Sequence, residues 1–163
     1  MPHDAAEPVG FIVRGAHGSV GVLTDIGHPT PALARAFEHC EILVLECNHD
    51  VDLLRGAAYP PSLRRRIGGD TGHLSNEQAC ELLAMMERPQ TQALVLAHLS
   101  EETNRPRLAR LAIERTLRAL GRKPQLVVAG QDRPAPPLAL VGSGRCRQLP
   151  STDNRQLRMV FPE

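Results

Sequence analysis

Short apolar runs alternate with amphipathic stretches along this chain. Ile42, Leu43, Val44 and Leu45 form a continuous apolar run, the pattern of a strand covered on both faces. The stretches Val20–Leu23 and Gln92–Ala97 read the same way. Each run ends in polar or titratable side chains: Thr24 and Asp25 after the first, Glu46, Asn48, His49 and Asp50 after the second, His98 after the third. In layered α/β folds that end of a strand is where sites are usually built.

The remaining elements follow in order. Val9–Arg14 and Ser19–Leu23 flank the turn signal Gly15-Ala-His-Gly18, which predicts a hairpin with His17 exposed at its tip. Thr30 and Pro31 open a helix through about Glu38, as N-cap and first-turn proline. Asp50–Arg55 reads as a short helix broken at Tyr59-Pro60-Pro61, and Ser62–Ile67 carries Arg64, Arg65 and Arg66, a run expected on a solvated face or, less commonly, on a phosphate-contacting patch. Gly68-Gly69-Asp70-Thr71-Gly72-His73-Leu74 is a glycine-rich loop. Ser75 with Gln78 then has the form of a capping box, and Ala79, Leu82, Leu83 and Met86 give the helix it opens one apolar face, ended by Pro89. The longest helix starts at Asn104 and Pro106 and runs to about Leu120, with an expected apolar stripe of Leu108, Leu111, Ala112 and Leu120, an i, i+4 pair of Glu114 with Arg118, and Gly121 as C-cap. Gln125–Val128 and Leu138–Val141 are further strands, and Leu157–Phe161 is a candidate edge strand in a weakly patterned tail. The alternation predicts α/β layers, with a mixed sheet because of the opening hairpin.

Composition narrows this picture. The 163 residues suit one domain, with no linker or internal repeat to divide them. Three phenylalanines, one tyrosine and no tryptophan leave the core to Leu, Val, Ile, Ala and Met. A net charge of +1 gives no nucleic-acid footprint by itself, although Lys123 is the only lysine and arginine suits phosphate recognition. Cys40, Cys47, Cys80 and Cys146 show no C-x-x-C spacing, and nothing resembles a signal peptide, so we expect reduced thiols in a cytoplasmic protein. No apolar run approaches membrane-spanning length.

The candidate chemistry lies in His3, Asp25, Glu46, His49, Asp50, His73 and His98. Histidine and aspartate are the ligand types of hydrolytic zinc, manganese or iron sites, and a carboxylate can bridge two ions. His73 precedes a helix N-terminus, where anions are favoured. Read singly, each histidine is more simply a surface or hydrogen-bonded residue. Several of them at strand ends or in a glycine loop make a metal site an open alternative.

The order Pro-His-Asp-Ala-Ala-Glu-Pro, Leu-Thr-Asp-Ile-Gly, Leu-Glu-Cys-Asn-His-Asp, Gly-Asp-Thr-Gly-His-Leu-Ser-Asn and Leu-Ala-His-Leu-Ser resembles the metallo-β-lactamase-fold hydrolases, nearest the YycJ/WalJ type and more distantly ribonuclease Z and the cyclic phosphodiesterases. The resemblance covers about Pro2 to Ala129. It implies an αββα sandwich with a two-metal site at one edge, holding zinc or manganese. It makes His3 and His98 ligands, Asp25 the bridging aspartate, and His73 the loop histidine that contacts the scissile phosphate or protonates the leaving group. Glu46 becomes the buried acid that orients the site, a role one layer behind the metal. The implied chemistry is phosphodiester hydrolysis, on nucleic acid in the YycJ-like members.

The family's His-x-His-x-Asp-His motif has no counterpart in this chain. The expectation is therefore a partial domain over residues 1–163, the C-terminal half of the sandwich, from a truncated reading frame, a mis-called start or a shortened homologue. Two hypotheses follow. One is a metal-dependent phosphodiesterase or nuclease whose other ligands come from an N-terminal half or another chain. The other is a non-catalytic half-domain that pairs with a partner, or with itself, through its exposed sheet. His3 is expected on a fraying terminus.

Overall fold

A computed structural model describes residues 1–132, 134–141 and 145–148. The opening hairpin is β1 (Phe11–Gly15) and β2 (Gly18–Leu23), followed by α1 (Pro31–Phe37) and β3 (Ile42–Glu46). Three helices come next, α2 (Val51–Gly56), α3 (Pro61–Ile67) and α4 (Asn76–Met85); β4 (Ala93–Ala97), α5 (Pro106–Ala119) and β5 (Gln125–Val128) complete the layers. A separate hairpin, β6 (Leu138–Val141) with β7 (Arg145–Gln148), closes the described chain. The weakly patterned tail gave no sign of β7, and the edge strand expected at Leu157–Phe161 lies outside the described residues.

The expected helix starts form as the local chemistry dictates. Thr30 accepts from Leu33 N at 3.2 Å, and Asp50 Oδ1 accepts from the backbone of Asp52 and Leu53, so Asp50 is a helix cap. Ser75 and Gln78 make both halves of the capping box. Ala79, Leu82, Leu83 and Met86 are all buried, as their spacing required.

The long helix differs in phase. Its buried residues are Ala109, Ile113 and Leu117, while Leu111 is 36% exposed. The stripe inferred from the leucines is thus rotated: the buried line runs in four-residue steps from Ala109 through Ile113 to Leu117, on the side that packs against α4 and β5. Glu114 pairs with Arg110 (3.1 Å) and not with Arg118. Arg110 also donates to Leu126 O, so the pair that forms is the one anchored to β5.

The sheet order is β1-β2-β3-β4-β5, antiparallel at β1–β2 and parallel elsewhere. This is the mixed sheet flanked by helices that the alternation predicted. One face carries Leu23, Leu43, Leu45, Leu94 and Leu96, all fully buried against α1, α4 and α5 in a single core cluster. Parallel pairing brings the carboxyl ends of β2, β3 and β4 to one edge. Asp25, Glu46 and His98 therefore sit side by side before any further folding detail is invoked.

Candidate functional site

Glu46 closes β3 and is fully buried. Its Oε1 accepts from His73 Nδ1 and His98 Nδ1, each at 2.8 Å, and its Oε2 from Ile26 N at 2.8 Å. Burial would raise the Glu46 pKa, but the hydrogen bonds from His73, His98 and Ile26 outweigh it and hold the carboxyl below its ordinary value. The same bond pushes His98 up, against the desolvation that would lower it. An ionised carboxylate that occupies Nδ1 of both imidazoles leaves Nε2 as their outward nitrogen, the arrangement seen behind metal-ligating histidines.

Asp25 stands in front of this brace. Its Oδ1 lies 3.9 Å from His3 Nε2, from His98 Nε2 and from His73 Nδ1. That distance is beyond hydrogen-bond reach, but it is within the span left by two ligand atoms that each approach one ion to about 2.1 Å. Asp25, His73 and His98 offer ligand atoms within 4.8 Å of one another. The His73 ring is 5.2 Å from both the His3 and the His98 rings, centroid to centroid.

Two of these residues hold unusual backbone. Among the described residues, Asp25 (φ 59°) and His98 (φ 55°) are the non-glycine residues at positive φ, a conformation that costs energy and clusters where geometry is imposed for function. Each follows a parallel strand and turns its side chain into the site.

The glycine-rich loop presents His73 and fixes His3. A Cβ at Gly72 would overlap the carbonyl oxygens of Arg66 and Ile67, so only glycine allows this close packing. Gly72 O accepts from His3 Nδ1 at 2.8 Å, Thr71 O from Asp4 N at 2.9 Å, and Asp4 pairs with Arg66 at 2.6 Å. The expectation that His3 frays is corrected by these contacts: the N-terminal segment is tied to the loop. His49 is bridged to Ser75 through the backbone and lines a different cavity from His73 and His98, and His17 is exposed in the hairpin turn.

Pattern reading placed Asn48 at a strand end and Asn104 at a helix start but gave neither a role, and it passed over Asn76. Asn48 Nδ2 donates to His98 O, and Ser100 N to Asn48 O. Asn76 and Asn104 pair amide to amide, and Asn104 also donates to Cys47 O. The available signal was their place: one directly after an apolar strand, the others at helix starts.

A cleft of about 500 Å³ opens on the group, lined by His73, His98, Asn48, Tyr59 and Glu101 among others. A cavity of about 470 Å³ at the opposite strand ends, near Leu94, Arg122 and Cys146, contains none of these groups.

A mixed five-stranded sheet flanked by helices, with Asp25, His3 and the braced pair His73 and His98 at its carboxyl edge, is consistent with a metallo-β-lactamase-like sandwich. The chain is a relative of the YycJ/WalJ group of that fold. It is 35% identical over 121 residues to a protein named exodeoxyribonuclease YycJ of Bacillus anthracis, covering 74% of this chain and 46% of that one. It is 35% identical over 113 residues to one named exodeoxyribonuclease WalJ of Streptococcus pneumoniae, covering 69% and 42%. The chain spans less than half the length of these curated relatives. No family model matches it. Among the described residues no helix is long and apolar enough to cross a membrane.

Proposed function

We propose that this chain supplies part of the site of a divalent-metal-dependent hydrolase that cleaves phosphodiester bonds in nucleic acid in the cytoplasm. The observation that carries this reading is Asp25 Oδ1 facing three imidazoles at one distance, in front of a buried carboxylate that braces two of them. The names of the relatives supply the substrate class.

In this reading His3, Asp25 and His98 would hold the ion, zinc or manganese, and Asp25 would be the carboxylate shared with any second ion. A bound ion supplies an activated water and polarises the phosphoryl oxygen. Glu46 keeps the Nε2 lone pair of His98 directed outward. His73, anchored through Nδ1, would turn Nε2 toward the cleft, where it would contact the scissile phosphate or, only as the imidazolium, give its Nε2 proton to the leaving oxygen. A catalytic zinc normally has about three protein ligands, and these three suit one ion per chain better than two.

Metal analysis and a turnover assay on the purified chain test this. The expected result is up to one zinc or manganese per chain, weakly held, lost on Asp25→Asn, with slow metal-dependent cleavage of linear DNA. Metal content untouched by Asp25→Asn would overturn the assignment. Two tightly held ions with fast turnover would show that further residues complete the site.

A second reading, a non-catalytic half-domain that pairs through its sheet, is favoured by one observation. Phe11 and Val13, on the edge strand, are 58% and 64% exposed. In that case metal uptake and turnover should both be absent while the chain self-associates.

A further inference from the structure

The metal-site cleft has a neighbour that the reading above does not use. A cavity of about 550 Å³ is lined by His49, Arg55, Arg64, Arg65, Ser75 and Glu77 among others. The two cavities back onto each other along the chain. Asn48 lines the metal-site cleft and His49 the second cavity; Ile67 lines the first and Gly68 the second; His73 lines the first and Ser75 the second.

Arg64 Nη1 donates to Arg55 O at 2.6 Å, which fixes its guanidinium over the junction of α2 and α3. Arg55 is committed only to an exposed pair with Asp52 (3.2 Å), an interaction worth little in water. The amino end of α4 adds its partial positive charge at Ser75. Glu77 is the one acidic side chain on the wall.

His49 gives the cavity a buried polar group. It is 2% exposed, and its Nδ1 has no hydrogen-bond partner. Burial keeps the ring neutral by lowering its pKa. Its single proton is better placed on Nε2, which lies 4.0 Å from where a Cβ of Gly68 would stand, on the cavity wall. An acceptor in the cavity would satisfy that donor.

From this geometry we propose that the cavity formed by His49, Arg55, Arg64 and Arg65 binds a phosphate group of a single-stranded nucleic acid whose neighbouring phosphodiester lies at the His73–His98 cleft. Guanidinium forks match phosphate oxygens, and a neutral imidazole N–H supplies a short-range donor that bulk charge does not. Use of the site on a substrate strand rests on the phosphodiesterase reading; its affinity for phosphate does not.

The test is fluorescence anisotropy of a labelled single-stranded DNA with the full chain in EDTA, so that no metal contributes. The Arg64→Gln/Arg65→Gln pair should weaken binding at least about tenfold, the scale of lost charge-assisted contacts. The Arg115→Gln/Arg118→Gln pair removes the same charge from the exposed side of α5 and should change binding less than about threefold, as a pure screening effect. His49→Gln should also weaken binding. A preference for a 5′-phosphorylated strand over a 5′-hydroxyl strand, lost in the Arg64/Arg65 variant, would assign the cavity to a terminal phosphate; equal binding of the two strands, with the same loss, would assign it to an internal one. Equal losses in both arginine pairs would overturn the site in favour of net charge. Inorganic phosphate that protects the cavity while strand binding ignores the Arg64/Arg65 change would overturn the nucleic-acid assignment. Because strand binding is read in EDTA and metal uptake is read separately, failure of the metal reading and failure of this one give different results.

Discussion

Asn76 and Asn104 face each other amide to amide, 2.9 Å and 3.1 Å apart, at the starts of two different helices. Both are buried. Asn104 also donates to Cys47 O, so this single pair holds α4, α5 and the end of β3 in one place. His73 lies three residues before Asn76 and Glu46 one residue before Cys47. The pair thus sets the spacing behind the site without touching it.

Removing Asn104 should therefore be costly. Asn104→Ala leaves the Asn76 amide and the Cys47 carbonyl buried without their partner, and a buried unsatisfied polar group costs about 1–3 kcal/mol. We expect a loss of about 2–4 kcal/mol by urea unfolding, with an unchanged denaturant slope. A loss below about 1 kcal/mol would mean that water replaces the amide at this position.

The Glu46–His98 bond predicts a pH optimum of stability for the metal-free chain. His98 is raised above its ordinary 6.5, so its contribution is complete below 6.5 and fades as pH rises through the folded value. Glu46 is held below its ordinary 4.5, so its contribution is complete above 4.5 and is lost as pH falls through the folded value. Stability should peak between these limits. In Glu46→Gln the His98 pKa, followed by NMR, should fall toward 6.5, and both limbs should flatten. A His98 titration unmoved by Glu46→Gln would refute the brace.

Much of this site could be read from the chain because it is built from local rules. Apolar runs place Asp25, Glu46 and His98 at strand ends, parallel pairing aligns those ends, and the capping box at Ser75 fixes where the glycine loop must stop. What could not be read depends on contacts between residues far apart in sequence. The bond from His3 to Gly72 joins residues 69 positions apart, and the Asn76–Asn104 pair spans 28. The phase of α5 was misread for a related reason. Leucine spacing marks an apolar surface, but the buried line runs through Ala109, whose small side chain carries little signal in a hydrophobic pattern.

His73 and His98 should separate in their effects. Both are tied to Glu46, but only His98 is assigned a ligand role. His98→Ala should abolish metal uptake, measured by cobalt absorption or calorimetry. His73→Ala should retain the metal and lower single-turnover cleavage of DNA by about 10²–10⁴-fold, the range of general acid catalysis. Parallel loss of metal and cleavage in His73→Ala would make His73 a ligand, consistent with the compact Asp25, His73, His98 group.

The outer strand of the sheet leads to the last prediction. On β1, Phe11 and Val13 point to the face opposite the leucine core, in register with Val22 and Val20 of β2. From Val22 the row continues through Val44 of β3 to Val95 of β4, and these three valines are only partly buried. The apolar row therefore runs from an exposed edge across an incompletely covered sheet face. Among the described residues, β1 has a strand neighbour on one side only. An open edge joined to exposed apolar surface favours association. We expect the purified chain to form dimers or larger species at micromolar concentration, detected by light scattering after size exclusion. Phe11→Lys with Val13→Lys should shift it to monomer, since charges on an edge strand oppose pairing. The same change should leave the melting temperature of the monomer within a few degrees, because both side chains are already in water. A wild-type chain that stays monomeric across that range would show that the sheet face needs no partner.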